Sequence, residues 1–145
     1  MTDTPPLTGQ EIALAANATR ALLDAVLAER ETTFHSWVIL NFTATSGGSV
    51  RREEILARLE SALKIDMARA SAAIDEAVSV GLAALDGDQL GLTPEGTTRF
   101  EQIRAGSAAI VERLYADLPV EDQLTTRRIL TTVTERANAE LARER

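Results

Sequence analysis

The sequence predicts a mainly α-helical fold with one small β-hairpin set between helices. Most of the 145-residue chain carries apolar residues at helical spacing. The stretch GLAALDGDQLGLTPEG, Gly81 to Gly96, places two short apolar runs around Asp86-Gly87, which is a strong hairpin signal. Aromatic residues make up only 3% of the chain, so the core must come mostly from Leu, Ala, Ile and Val, a composition that favours packed helices.

Composition excludes several classes of function. There is no cysteine, and His35 is the single histidine, so we expect no disulfide, no cysteine or histidine metal site and no cofactor. The chain contains no phosphate-binding loop, nucleophile elbow or metal motif, so we expect no enzyme activity. Apolar runs fall short of the ~20 residues of a membrane span. The segment MTDTPPLTGQE has neither the basic nor the apolar region of a signal peptide, which predicts a cytoplasmic protein.

The first half of the chain predicts two helices after a short tail. Residues 1–7, with two prolines, predict a disordered tail. Thr8 lies three residues before Glu11, the spacing of a capping box, and a helical stripe follows over residues 10–31. Residues 32–44 are apolar on most faces, so periodicity alone does not separate helix from strand. We interpret them as a buried helix.

The middle of the chain predicts two shorter helices. Residues 45–49 are predicted as a loop and residues 50–63 as a helix with one apolar face. Asp66 is a favourable N-cap for a helix over residues 67–80. Gly81 is a natural residue to end that helix.

The last third predicts a hairpin and two long helices. Residues 82–85 and 89–92 can pair across the Asp86-Gly87 turn. Thr93 caps the next helix, with Pro94 at its first position. That helix is predicted to reach about Asp117, and the last to cover about residues 120–143. The terminal helices carry apolar residues on several sides, which one small domain cannot cover, so we expect a homodimer.

This order of elements resembles the MarR family of winged-helix transcription regulators. The similar segments are GLTPEGTTRFEQIRAG, ADLPVEDQLTTRRILTTVTERANAEL and AVSVGLAAL, within a resemblance covering residues 8–143. It implies one MarR-like domain over residues 8–145. Residues 8–31 and 96–143 would be dimerisation helices, and residues 32–95 a winged helix-turn-helix lobe. It further implies a homodimer that binds a palindromic operator in double-stranded DNA, usually as a repressor, and that a small, often aromatic, ligand commonly releases.

The resemblance also implies candidate site residues. Residues 67–80 would be the recognition helix, on which Arg69 could contact guanine and Ser71 a base or phosphate, with Ala72 facing the groove. Phosphate contacts are expected from Arg51 and Arg52 at the start of the preceding helix and from Lys64 in the turn. His35 and Trp37 are candidates for the wall of a ligand pocket. The alternative interpretation places Trp37 in the core and pairs His35 with a carbonyl.

The hairpin departs from the family's pattern. MarR-like wings usually carry a longer hairpin with an Asp-x-Arg word, whereas this loop is Asp86-Gly87-Asp88. The chain has a net charge of −7, and residues 46–100 hold six basic and nine acidic residues, a net charge of −3. Negative charge opposes binding to phosphates. A second interpretation therefore stays open: a winged-helix dimer that acts through protein–protein contacts with weak or no DNA binding.

Overall fold

The computed structural model of the protein describes residues 3–144. Residues 1 and 2, part of the predicted tail, and residue 145 lie outside the described residues, while residues 3–7 form neither helix nor strand. Within the described chain there are six helices and three short strands. They are α1 (Gly9–Glu29), α2 (Phe34–Thr45), β1 (Ser49–Arg51), α3 (Arg52–Leu63), α4 (Met67–Ser79), β2 (Ala83–Asp86), β3 (Gln89–Leu92), α5 (Pro94–Tyr115) and α6 (Val120–Arg143).

The helix starts that were predicted from capping residues are confirmed. At α1, Thr8 and Glu11 form the reciprocal capping box, in which the Thr8 backbone N–H donates to Glu11 Oε2 at 2.9 Å. At α4, Asp66 Oδ1 accepts from the Arg69 backbone N–H at 2.8 Å. At α5, Thr93 Oγ1 accepts from the Gly96 backbone N–H at 3.0 Å. Each bond satisfies a donor that the first helical turn leaves without an internal partner.

Residues 32–44, which periodicity left ambiguous, form α2 with its start at Phe34. The Thr33 hydroxyl accepts from the Ser36 backbone N–H at 3.2 Å and caps the helix. Ile39, Leu40 and Thr43 are buried, and the Thr43 hydroxyl donates to the Ile39 carbonyl at 2.7 Å. The prediction of a buried helix is therefore confirmed.

The predicted loop at residues 45–49 and helix over 50–63 need correction, because Ser49–Arg51 forms strand β1. Its central residue, Val50, lies opposite Leu90 of β3, and the sheet order is β1-β3-β2 with both pairs antiparallel. Helix α3 accordingly begins at Arg52. A three-residue strand has no detectable periodicity of its own, and its partner lies some forty residues away, so only the tertiary pairing reveals it.

The hairpin loop is also one residue shorter than predicted. Asp86 belongs to β2 and is paired with Gln89, so the loop consists of Gly87 and Asp88 rather than Asp86-Gly87-Asp88. Gly87 has a φ of +64°, the left-handed backbone required at the first position of a type II′ hairpin turn.

The apolar core of the unit that ends at Ala109 lies between α2, α3, α4 and the sheet. Its most buried side chains include Ile39, Ile55, Leu59, Ile74 and Leu90, each with no exposed surface. Further along α5, Arg99 donates to the Arg30 carbonyl at 2.6 Å and the Thr32 hydroxyl at 2.9 Å. Those bonds attach α5 to the connection between α1 and α2.

The second unit, from Ile110 onwards, contains the end of α5 and all of α6. The turn around Pro119 is closed by Gln123, whose side-chain amide donates to the Tyr115 and Leu118 carbonyls at 3.1 and 2.9 Å. None of the described residues of α6 is buried. This unit therefore leaves its apolar side chains uncovered in the single chain.

Candidate nucleic-acid interface

Helix α4 has one buried and one exposed face. Its small buried residues, Ala70, Ala73 and Ala77, allow the helix to pack closely against α2 and α3. Arg69 and Ala72 are exposed on the other side. This is the orientation expected of a recognition helix, and the contacts of these residues with DNA stay a prediction.

Two of the predicted site residues, Arg52 and Ser71, contact each other. Arg52 Nη2 donates to Ser71 Oγ at 2.8 Å, and both residues are half-buried. The bond joins the start of α3 to α4 and holds the guanidinium beside the proposed recognition face. The Ser71 hydroxyl accepts in this bond, so its own hydrogen stays available for another acceptor. A pair separated by nineteen residues gave no signal in the sequence.

Arg51 lies between two carboxylates. Its Nη2 atom is 3.6 Å from Asp88 Oδ2 in the hairpin loop and 3.9 Å from Glu53 Oε2 on α3. The Asp88 backbone carbonyl also accepts from the Arg52 N–H at 2.8 Å. Arg51, predicted to meet phosphate, is thus paired with acidic groups of its own chain.

Arg69 differs from the arginines at the start of α3, and Lys64 lies in the turn that follows α3. The Arg69 side chain is exposed, and within residues 3–144 its guanidinium forms no ion pair. Lys64 is exposed just after α3, with a left-handed φ of +55°. Arg69 is the site arginine most directly available to an incoming base edge.

The wing projects little beyond the sheet. The last residue of β1, Arg51, lies opposite the first residue of β3, Gln89, and Gln89 also closes the hairpin with Asp86. Only Gly87 and Asp88 extend past these paired residues. No basic side chain lies in the hairpin, so its tip offers a phosphate only an aspartate and backbone groups.

Trp37 and His35 lie in aromatic surroundings. The Trp37 and Phe100 rings stack with centroids 5.5 Å apart and planes 17° apart, which connects α2 to α5. His35 lies beside Phe34 at 6.2 Å between centroids. Both site candidates are half-buried. Their role as a pocket wall stays a prediction.

A cavity of about 450 Å³ lies between α1 and the start of α2, and it is lined by residues that the sequence analysis did not select. The Arg20 guanidinium carbon is 3.3 Å from the Phe34 ring centroid, and Arg20 Nε donates to Asp24 at 3.0 Å. Arg20 is the one basic residue in the sequence of α1. This isolated charge is the signal in the sequence that could have identified Arg20 as a candidate site residue. The lining residues are Ala16, Asn17, Thr19, Arg20, Leu23 and Phe34.

Within residues 3–144, no group of three or more His, Cys, Asp or Glu side chains is placed to hold a metal ion. None of the described helices combines the length and the apolar character that crossing a membrane requires.

Comparison with known proteins establishes the fold. No protein-family model matches the chain, and no curated protein matches it. Solved structures do. A mutant MarR from E. coli complexed with operator DNA has a TM-score of 0.71 at 20% identity, covering 86% of this chain and 91% of that one. CouR from Rhodococcus jostii, bound to p-coumaroyl-CoA, has a TM-score of 0.74 at 16% identity, covering 87% and 90%.

A third similar structure is a MarR family protein of Mycobacterium tuberculosis complexed with salicylic acid. Its TM-score is 0.64 at 20% identity, and the match covers 90% of this chain and 99% of that chain. The chain therefore has the MarR-like winged-helix fold, with six helices and a small antiparallel sheet, and the predicted fold class is confirmed.

Proposed function

We propose that this chain, whose fold is that of MarR-like regulators, is a cytoplasmic DNA-binding transcription regulator that acts as a homodimer, with repression of a promoter as its mode of action. The observation that carries the proposal is the exposed face of α4, on which Arg69 has no ion-pair partner within residues 3–144. The proposal is supported by the similar fold of the mutant MarR from E. coli, whose structure contains operator DNA.

In this proposal α4 enters the major groove. Arg69 has the five-donor guanidinium that contacts guanine O6 and N7 in the bidentate manner. Arg52, held against Ser71 at 2.8 Å, lies at the adjoining start of α3, where it would contact the DNA backbone together with Ser71. Ala72 would contact a base without a hydrogen bond, and Lys64 would add a phosphate contact from the turn after α3.

The homodimer is supported by uncovered apolar surface in the second unit. Leu118, Leu124 and Leu130 are 46%, 58% and 38% exposed. They line a cavity of about 820 Å³ between the end of α5 and α6. We propose that a second copy of the chain fills it, with residues 8–31 and 96–143 as dimerisation helices and 32–95 as the DNA-binding lobe. Single soluble chains rarely expose so continuous an apolar surface.

A ligand that releases the DNA is a further part of the proposal. The cavity beside Arg20 has a volume within the range of small-molecule sites. Its arginine and phenylalanine suit a ligand with a carboxylate and an aromatic ring. Trp37 and His35 lie on α2 close to Phe34, which lines the cavity, so Trp37 fluorescence should respond to a ligand bound there. Saturable quenching of Trp37 fluorescence by aromatic acids is expected, and an unchanged signal across a broad set of such acids would refute this part.

A specific observation favours the second candidate function, a winged-helix dimer that acts through protein–protein contacts. Residues 46–100, which include most of the lobe, have a net charge of −3, and Arg51 is already paired with Asp88. Both features weaken attraction to phosphates. A protein partner would not require Arg69 to be free.

Selection of bound sequences from a random duplex pool, at low and then near-physiological salt, tests the two candidates. Recovery of a palindrome with half-sites about one helical turn apart is expected of the regulator. Arg69→Ala should then weaken binding to that site by about tenfold or more, since a bidentate base contact contributes roughly 1–3 kcal/mol. Arg30→Ala, which removes the same charge outside the lobe, is the matched control. Recovery of no sequence even at low salt would favour the protein partner.

A further inference from the structure

The Arg51–Asp88 ion pair has a direct consequence for DNA binding. We propose that Asp88 competes with DNA phosphate for Arg51, so that the short wing restrains DNA affinity where a longer basic wing would supply it. This inference rests on the proposed function. It identifies Asp88 as the residue that sets the affinity and salt dependence of the lobe.

Two contacts made by the same residue position Asp88 for this role. Its backbone carbonyl accepts from the Arg52 N–H at 2.8 Å, which fixes the loop against the start of α3. Its carboxylate Oδ2 lies 3.6 Å from Arg51 Nη2. The strand register leads to the same arrangement, because Gln89, the next residue in the chain, is paired with Arg51. The shortness of the hairpin therefore places the aspartate beside the arginine.

A carboxylate and a phosphate offer the guanidinium the same kind of acceptor oxygen. The Arg51 and Asp88 side chains are 58% and 67% exposed, so their ion pair contributes little to stability, but phosphate must displace it before Arg51 can contact the DNA backbone. Displacement has two unfavourable parts: the pair is lost, and an unpaired aspartate is left facing the phosphates. Glu53, at 3.9 Å, gives Arg51 a second internal acceptor.

Asp88→Asn is the decisive variant, since it removes the charge while keeping the size of the side chain and the backbone carbonyl. Binding is measured by fluorescence anisotropy on a labelled mixed-sequence duplex of about 30 base pairs, between about 50 and 200 mM salt. Affinity is expected to rise on the order of threefold per lobe at low salt. The slope of log K against log salt should steepen by about 0.9 per lobe, the value for one added phosphate contact.

Asp86→Asn is the matched control, because it removes the same charge from the last residue of β2, directly before the loop. Within residues 3–144 Asp86 forms no ion pair with Arg51. It should therefore show a smaller gain and an unchanged salt slope. Equal effects of the two substitutions would overturn the proposal in favour of general repulsion by the loop.

Arg51→Gln separates an effect of Asp88 through its ion pair with Arg51 from direct repulsion between the Asp88 carboxylate and DNA. If Asp88 acts through Arg51, the gain from Asp88→Asn disappears in the Arg51→Gln background. A gain of the same size in both backgrounds overturns the proposal. Thermal unfolding identifies a variant that does not fold, and Asp88→Ser then replaces Asp88→Asn.

The remaining outcomes distinguish this inference from the proposed function. If the unsubstituted protein binds the duplex and Asp88→Asn leaves both affinity and salt slope unchanged, the inference fails alone. If neither protein binds at low salt, the proposed function and the inference fail together. Binding gained only on substitution supports both, since the fold then carries a DNA surface that Asp88 masks.

Discussion

At Gly96 the first turn of α5 comes so close to the chain that leads into β2 that no side chain fits. A Cβ atom built at this position would lie 1.9 Å from the Leu82 carbonyl oxygen. That carbonyl accepts from the Thr93 N–H, so it is not free to move aside. We expect Gly96→Ala to lower the free energy of unfolding by about 1–3 kcal/mol, as for other overpacked sites.

Urea unfolding followed by circular dichroism measures this effect, with Gly9→Ala as the control. Gly9 lies in the first turn of α1, where an added Cβ would meet nothing within 4 Å. Alanine there should leave stability unchanged or raise it by up to about 1 kcal/mol, since glycine loses more backbone freedom on folding. A Gly96 variant as stable as the Gly9 variant would show that the backbone can yield.

Individual site residues were predictable only as far as the family resemblance reaches. The resemblance implies that Arg69 lies on the outward face of the helix over residues 67–80, and the structure shows Arg69 exposed while Ile74 and Ala77 are buried. The partners of Arg51 and Arg52 were beyond this reasoning, because Asp88 and Ser71 approach them only through the packing of other elements. The family resemblance supplied the proposed roles of these residues, whereas only the structure showed which side chains they contact.

Within the elements, the capping box of α1 makes a prediction about pH. The hydrogen bond from the Thr8 side chain, followed by bonds from backbone N–H groups, lowers the pKa of Glu11. A carboxyl whose pKa is lower in the folded than in the unfolded state stabilises the fold above the unfolded pKa. That contribution is lost as the pH falls through the folded pKa. The stabilisation from the Glu11 carboxylate is therefore lost at acid pH, below the usual glutamate pKa of 4.5.

Glu11→Gln tests this by comparing thermal unfolding midpoints between neutral pH and about pH 3. The substitution should lower the midpoint at neutral pH and have progressively less effect towards acid pH, as the native glutamate takes up a proton on passing through its folded pKa. Glu29→Gln, at the other end of α1, controls for loss of a charge. A decrease of the same size at both pH values would show that the carboxylate form has no special role.

Elements stabilised by local sequence were predicted well, and those stabilised by distant pairing were not. Thr8, Asp66 and Thr93 mark helix starts because each bonds to a backbone N–H two or three residues away. Strand β1 instead depends on β3, and the pairing of Asp86 with Gln89 shortens the hairpin loop to Gly87 and Asp88. Tertiary contacts therefore decide the shape of the wing.

For the whole molecule, the proposed function makes DNA binding depend on assembly of the homodimer. With a net charge of −7 per chain, a dimer carries twice the repulsion towards DNA that a single chain does. Two linked lobes offset this, because binding of the first makes binding of the second intramolecular. Loss of the dimer should therefore abolish measurable DNA binding even though each lobe is intact.

Leu130→Glu tests that dependence. Leu130 lines the cavity of α6 and is 38% exposed, so a glutamate there would place a charge in the proposed interface between copies. Light scattering at micromolar concentration should change from the dimer mass to that of a monomer, with loss of DNA binding. Ser61→Glu adds the same charge on the exposed side of α3 and should stay dimeric. A Leu130→Glu protein that is still dimeric would place the interface elsewhere, whereas a monomer that binds DNA as tightly as the original would separate assembly from recognition.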